Sequence, residues 1–101
     1  MDVAVANHPE EHRYEVRAGG ELAGWTVYRE RPGLIVFVHT EIDERFGGQG
    51  IASQLIRAAL DDARERDLQV LPFCPFVNGY IARHREYADL VPDAFRARFG
   101  L

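Results

Sequence analysis

Three glycines, Gly47, Gly48 and Gly50, come directly before a segment with the periodicity of an amphipathic helix. A helix N-terminus presents unpaired N–H groups and the positive end of the helix dipole. Glycine lets the main chain approach a phosphate without a Cβ clash and allows a positive φ. The combination predicts an anion site built from main chain, and a flexible connection into the helix is the alternative.

Two common phosphate motifs do not fit this segment. All twelve Lys and Arg residues are arginine, so the lysine that a P-loop requires is missing. In a dinucleotide fingerprint a Gly or Ala follows the second glycine by three residues, and here Ser53 stands at that position. The absence of lysine also excludes a lysine nucleophile or Schiff base.

Cys74 is the one cysteine of the chain, and two roles are open to it. It is either a nucleophile or a small buried packing residue, as most lone cysteines are. His39, Glu41 and His84 are candidate bases for a thiol or an amine. For His39 the alternative is a hydrogen-bonded histidine at a strand end, and for His84 it is packing. The histidines and the cysteine show no metal-ligand spacing, which predicts that there is no metal site.

The elements that position these residues are predicted from hydrophobic periodicity and turn signals. The start, Met1 to about Glu10, is expected to be loosely docked. An apolar stripe on Ala52, Leu55, Ile56, Ala59 and Ala63 predicts a helix that ends near Arg66. The strands are expected around Tyr14 and Val16, at Leu22–Arg29, at Leu34–Val38 in the middle of the sheet and at Leu68–Phe73, with a second helix over Phe76–Tyr87.

Length and composition limit the function classes. The chain has 101 residues and a net charge of −4, which predicts one domain over residues 1–101 and argues against a nucleic-acid partner. No apolar run has the length of a membrane span, and the N-terminus lacks a secretory pattern. A lone cysteine cannot form an internal disulfide, so a cytoplasmic location is expected.

The chain resembles the minimal single-domain group of GNAT-like N-acetyltransferases, the YjdJ-like group, over residues 11–92. Its Gly47–Ala52 segment is similar to the pyrophosphate loop of the GNAT superfamily, Gln/Arg-x-x-Gly-x-Gly/Ala, with Gly47 in place of the first Gln or Arg. More specific are the segments Leu71–Val77 and Tyr80–Tyr87. As in that group, only a Gly-Gly turn separates the first two predicted strands, where larger members have two helices.

The resemblance implies an α+β, GNAT-like fold: a mostly antiparallel meander sheet, a parallel, splayed strand pair and two main helices. The splayed strands would be Leu34–Ile42 and Leu68–Cys74. It also implies that acetyl-CoA is the cosubstrate and that an unidentified amine is the acceptor. The residues expected to bind acetyl-CoA are Thr40, Ile42, Arg45, Phe46, Gly47, Gly48, Gln49, Gly50, Ile51, Ala52 and Ser53.

Catalytic roles follow from the same resemblance, which places Cys74 beside the thioester. Acetyl transfer would be either direct or through Cys74, with His39, Glu41 and His84 as the candidate bases. Larger relatives use a helix tyrosine as general acid, and Tyr80 is the candidate here; the alternative is a core tyrosine with a solvated hydroxyl. Two other functions remain open: a non-catalytic acyl-CoA-binding or protein-interaction domain, and a structural domain whose glycine loop binds nothing.

Overall fold

The computed structural model describes residues 2–101 and shows one mixed sheet with helices after its fourth and fifth strands. Short 3-10 turns at Pro9–Glu11, Glu44–Phe46, Arg85–Leu90 and Ala97–Phe99 connect the main elements. The strands and helices are β1 (Val3–His8), β2 (Arg13–Ala18), β3 (Glu21–Arg31), β4 (Leu34–Ile42), α1 (Ile51–Glu65), β5 (Gln69–Pro72), α2 (Pro75–Arg83) and the single-turn α3 (Asp93–Arg96).

The strands lie in the sheet in chain order, β1-β2-β3-β4-β5. The first four form an antiparallel meander, and β5 pairs in parallel with β4 after the α1 crossover. β4 therefore lies inside the sheet, as its apolar sequence predicts. The expected α+β fold, with its meander and its parallel strand pair, is confirmed.

The hydrophobic core lies between this sheet and α1. The helix contacts all five strands, and its predicted apolar stripe is buried apart from Ala52, which is partly exposed. Ile35 and Phe37 of β4 and Val70 of β5 are fully buried beneath it. Burying this face stabilises the helix and fixes the position of its N-terminus relative to the end of β4.

The prediction of a loosely docked start is wrong for the described part of that segment. Val3 to His8 form β1, which pairs with β2 along its whole length. Val3 and Val5 alternate with exposed Ala4 and Ala6 and pack against the core. The alternation is real, but short alanine side chains make it a weak signal. Met1 lies outside the described residues.

The second helix is shorter than predicted. α2 ends at Arg83, and residues 85–90 form a 3-10 turn instead of continuing to Tyr87. His84 separates the two segments with a non-helical backbone, φ −129° and ψ 76°.

Among the described residues, no helix combines the length and the apolar character that a membrane crossing requires.

Candidate functional site

The N-terminus of α1 is left open by the residues around it. Gly50 is the N-cap in a left-handed conformation, φ 73°, and supplies no side-chain cap. Within residues 2–101, the N–H groups of Ile51, Ala52 and Ser53 have no hydrogen-bond acceptor. A Cβ placed on Gly48 or Gly50 would meet no protein atom within 4 Å. The helix end therefore faces a space that the chain itself does not fill.

The second half of β4 has a free edge beside this space. Pairing between β4 and β5 ends at Phe37 and Pro72, and the Cys74 N–H makes one last bond of 3.0 Å to the Phe37 carbonyl. Pro72 and Pro75 have no N–H to extend the ladder. In the described chain no strand pairs with β4 on this side beyond Phe37, so the strand pair diverges there, where the resemblance implies a splay.

A cavity of about 280 Å³ lies where the helix end and the free strand edge meet. It contains eight of the residues predicted to bind acetyl-CoA, together with Phe76, which the sequence analysis did not single out. Phe76 lies in the first turn of α2 and is 49% exposed. The lining consists of Ile42, Phe46, Gly47, Gly48, Gly50, Ile51, Ala52, Ser53 and Phe76.

Arg45 and Gln49 do not line that cavity. The Arg45 guanidinium lies 3.1 Å from the Asp43 carboxylate and 3.5 Å from that of Glu21. The hydrogen bonds from the Arg45 side chain and main chain hold the pKa of Asp43 below its usual value. Gln49 donates to the Arg45 carbonyl at 3.5 Å. Arg45, which is predicted to bind acetyl-CoA, is therefore engaged with carboxylates of this chain.

A buried chain of polar groups connects β3, β4 and the start of α2. The Thr26 and Thr40 hydroxyls are 2.9 Å apart, and Thr40 Oγ1 is 3.0 Å from Cys74 Sγ. All three residues are buried, and Cys74 is only 1% exposed. Thr40 thus points into the protein and orients the thiol, while its main chain belongs to the free edge of β4. Sequence reasoning missed Thr26, because the register that aligns it with Thr40 is a tertiary feature.

His39 and Glu41 point to the other face of the sheet. The His39 Nε2 atom is 3.4 Å from a Glu41 carboxylate oxygen, and both side chains are more than half exposed. Their cross-strand partners are Val27 and Trp25. The structure therefore brings two of the predicted bases together, in contact with solvent, where a proton can leave.

Tyr80 and His84, the third candidate base, contact each other. Their rings stack at 3.9 Å, and the His84 Nδ1 atom is 2.9 Å from the Tyr80 carbonyl. Burial raises the pKa of the Tyr80 hydroxyl. The Tyr87 ring centroid lies 5.8 Å from that of Tyr80, and the Tyr87 hydroxyl donates a hydrogen bond to Asp61 of α1. His84 therefore makes packing and hydrogen-bonding contacts within the chain. Packing was the alternative to a role as base in the sequence analysis.

A second cavity, of about 590 Å³, lies on the face of the sheet that carries Glu41. Ile42 and Phe76 line both cavities and so separate them. The sequence offered one signal for this site, the polar end of β4 and the acidic turn after it. The lining consists of Leu22, Trp25, Glu41, Ile42, Asp43, Glu44 and Phe76.

Comparison with known proteins agrees with this geometry. The family model of the GCN5-related N-acetyl-transferases matches residues 13–90, whereas no curated protein matches the chain. A GCN5-like protein from Staphylococcus aureus, solved by NMR, shares 22% identity at a TM-score of 0.67. The match covers 88% of this chain and 87% of that one.

Two larger crystal structures share part of the fold. Ard1 from Thermoplasma volcanium is 25% identical with a TM-score of 0.54, covering 62% of this chain and 44% of that one. The ribosomal-protein-alanine N-acetyltransferase from Brucella melitensis biovar Abortus is 23% identical with a TM-score of 0.55, covering 79% and 61%. The family match extends from β2 to the 3-10 turn after α2 and includes both cavities, and the chain belongs to the GCN5-related N-acetyltransferase family.

Proposed function

We propose that this protein transfers the acetyl group of acetyl-CoA to a primary amine. The observation that carries the proposal is the cavity in which an uncapped helix N-terminus and an unpaired strand edge meet. Acetyl-CoA carries an anionic pyrophosphate next to a pantetheine arm that contains amides. The helix N-terminus suits the pyrophosphate, and the strand edge suits the amides of the arm. The proposal includes one acetyltransferase domain over residues 1–101, in the cytoplasm.

The residues present fit acetyl-CoA. The free N–H groups of residues 51–53 and the positive-φ glycines of the loop would hold the pyrophosphate. The edge of β4 at Thr40–Ile42 would pair with the amides of the pantetheine arm, as an added strand does. Acetyl-CoA supplies an activated acyl carbon, and a main-chain N–H of this edge would stabilise charge on the thioester oxygen.

The His39–Glu41 pair is the base in this proposal. It removes one proton from the ammonium form of the acceptor, and the neutral amine nitrogen then attacks the thioester carbon. The C–N bond forms, the C–S bond breaks, and coenzyme A leaves as a thiolate that takes up the second proton, which the new amide nitrogen releases. The placement of the pair at the solvent-facing side of β4 supports this role. Tyr80 has no part here, because its ring lies beside His84 and Tyr87.

Cys74 supports direct transfer better than a covalent intermediate. Its side chain is buried, and the thiol contacts Thr40 Oγ1. An acetyl-cysteine would require the sulfur to leave that contact and reach the cavity. The direct route needs no such movement. In that route the Cys74 thiol remains in its buried hydrogen-bonding contact with Thr40.

The test combines acetyl-CoA calorimetry with detection of the released thiol of coenzyme A across a panel of amines. We expect binding without amine, and thiol release only when amine is added. Binding without release would identify an acyl-CoA-binding module, and no binding would leave a structural domain. His39→Gln should slow release most at neutral pH, and His84→Gln should change it little.

The covalent route is tested separately, by intact-mass spectra after a rapid quench and by Cys74→Ala. Direct transfer predicts that Cys74→Ala still turns over and that no hydroxylamine-labile adduct forms on the wild type. An adduct on Cys74 that disappears when amine is added would establish the covalent route instead.

A further inference from the structure

The wider of the two cavities carries negative charge that the protein does not neutralise. Glu41 contacts His39, and Asp43 is paired with Arg45. In residues 2–101 the Glu44 carboxylate has neither an ion-pair nor a hydrogen-bond partner. A carboxylate without a partner in the lining of a cavity attracts cations and repels phosphate groups.

The same cavity has an aromatic and apolar floor. Trp25 stands directly across from Glu41 in the sheet, and Leu22 and Phe76 line the cavity beside it. The Arg13 guanidinium carbon lies 4.8 Å from the Trp25 ring centroid, so this chain's own cation occupies one face of the ring. Apolar walls with a few converging charges are the usual composition of a small-molecule site, and about 590 Å³ is within the usual range.

Gly24 keeps this floor close to β4. A Cβ at position 24 would lie 2.5 Å from the Glu41 carbonyl oxygen and 2.6 Å from the Ile42 side chain. No real Cβ is found that close to a backbone oxygen, so any other residue would push the end of β4 outward. Glycine at position 24 therefore allows the end of β4, with Glu41, to stay close to β3 and to Trp25, its cross-strand partner.

The two cavities differ in the charge that they favour, although Ile42 and Phe76 belong to both. The cavity of about 280 Å³ beside the glycine loop offers N–H groups to an anion, whereas the cavity of about 590 Å³ offers carboxylates to a cation. A donor that carries phosphates and an acceptor that carries positive charge would each be excluded from the other's place.

We propose that the cavity between Trp25 and Glu44 is the acceptor subsite and that it selects amines with a second, positively charged nitrogen. This inference rests on the proposed function. One nitrogen loses its proton to the His39–Glu41 pair and attacks the thioester. The second stays protonated and is held by the Glu44 carboxylate, while the carbon chain between the two nitrogens packs on the apolar floor beside Trp25.

Trp25 is the only tryptophan of the chain, so its fluorescence reports on this cavity without turnover. Putrescine and n-butylamine share a four-carbon chain but carry two nitrogens and one. Titrated at constant ionic strength, putrescine should change Trp25 fluorescence at a concentration about tenfold below that of n-butylamine, as one charged hydrogen bond allows.

Glu44→Gln should remove that preference and leave the calorimetric affinity for acetyl-CoA unchanged. Glu65→Gln is the matched control, because this exposed carboxylate lies at the opposite end of α1. It should keep the preference. Equal binding of the two amines by the wild type, or an unchanged preference in Glu44→Gln, would overturn the inference.

The outcome is separable from that of the proposed function. Selective putrescine binding without release of coenzyme A would contradict acetyl transfer and leave a diamine site standing. Release of coenzyme A at equal kcat/KM with both amines would support acetyl transfer and overturn the acceptor selectivity.

Discussion

The two ends of α1 are built in opposite ways. At its C-terminal end, Asp62 accepts from Tyr14 at 2.5 Å, Asp61 accepts from Tyr87 at 2.6 Å, and Arg64 contacts Asp89 at 2.9 Å. At its N-terminal end no side chain caps Gly50 and the first turn has no acidic residue.

This difference separates stability from binding along one helix. The closed end uses its polar groups within the chain and ties the helix to β2 and to the turn after α2. The open end leaves donors without partners, which costs stability unless a ligand or water accepts their hydrogen bonds. Substitutions at the closed end should therefore alter unfolding, and those at the open end should alter ligand affinity.

The largest effect is expected from Gly50→Val. A β-branched residue cannot easily adopt φ 73° and would fill the space before the helix. We expect the affinity for acetyl-CoA to fall by a factor of about 100, measured by calorimetry.

Gly33→Val is the matched control for that substitution. Gly33 in the β3–β4 turn has φ 72° and equally open surroundings. Both variants should lose about 1–2 kcal/mol of stability through backbone strain. Only the Gly50 variant should bind acetyl-CoA less tightly, and equal affinities in the two variants would remove the loop from the site.

Tyr14→Phe tests the closed end. Tyr14 is 2% exposed and its hydroxyl donates to a carboxylate, so the free energy of unfolding in urea should fall by about 1–3 kcal/mol. Affinity for acetyl-CoA should not change. A clear loss of affinity in the folded variant would show that the two ends are coupled.

Alkaline pH should weaken the same end. Burial, and then the hydrogen bond to Asp61, raise the pKa of Tyr87 from 10.0 to about 12. A raised pKa in the folded state means that the unfolded chain loses this proton first, so stability is complete below pH 10 and falls between pH 10 and about 12. Denaturant midpoints across this range should fall less steeply in Tyr87→Phe than in the wild type.

Arg64→Ala should have the smallest effect. Arg64 holds Asp89 and the Glu86 carbonyl at 2.9 Å, but its side chain is 45% exposed. An ion pair in contact with solvent contributes about 0–1 kcal/mol, and salt weakens it. The difference in melting temperature from the wild type should shrink as sodium chloride is added, whereas that of Tyr14→Phe should persist.

Sequence patterns determined most of the elements. The stripe on α1 requires that this segment bury one face, and the apolar run of β4 requires a place inside the sheet. Glycines 47, 48 and 50 before a helix predict an open helix end, and Gly48 and Gly50 do take a positive φ there. The sequence did not predict β1, because the alternation there rests on valine and alanine. It also did not predict the end of α2, because His84 carries no strong stop signal.

Tertiary structure decided which side chains meet. The register between β3 and β4 places Trp25 across from Glu41 and Thr26 across from Thr40, and the packing of α2 brings Phe76 between the two cavities. A shift of one residue in a strand would turn its side chains to the other face of the sheet. The sequence alone therefore indicated the glycine loop and the open helix end, because that pattern is local, whereas the charged cavity exists only once the strands are paired.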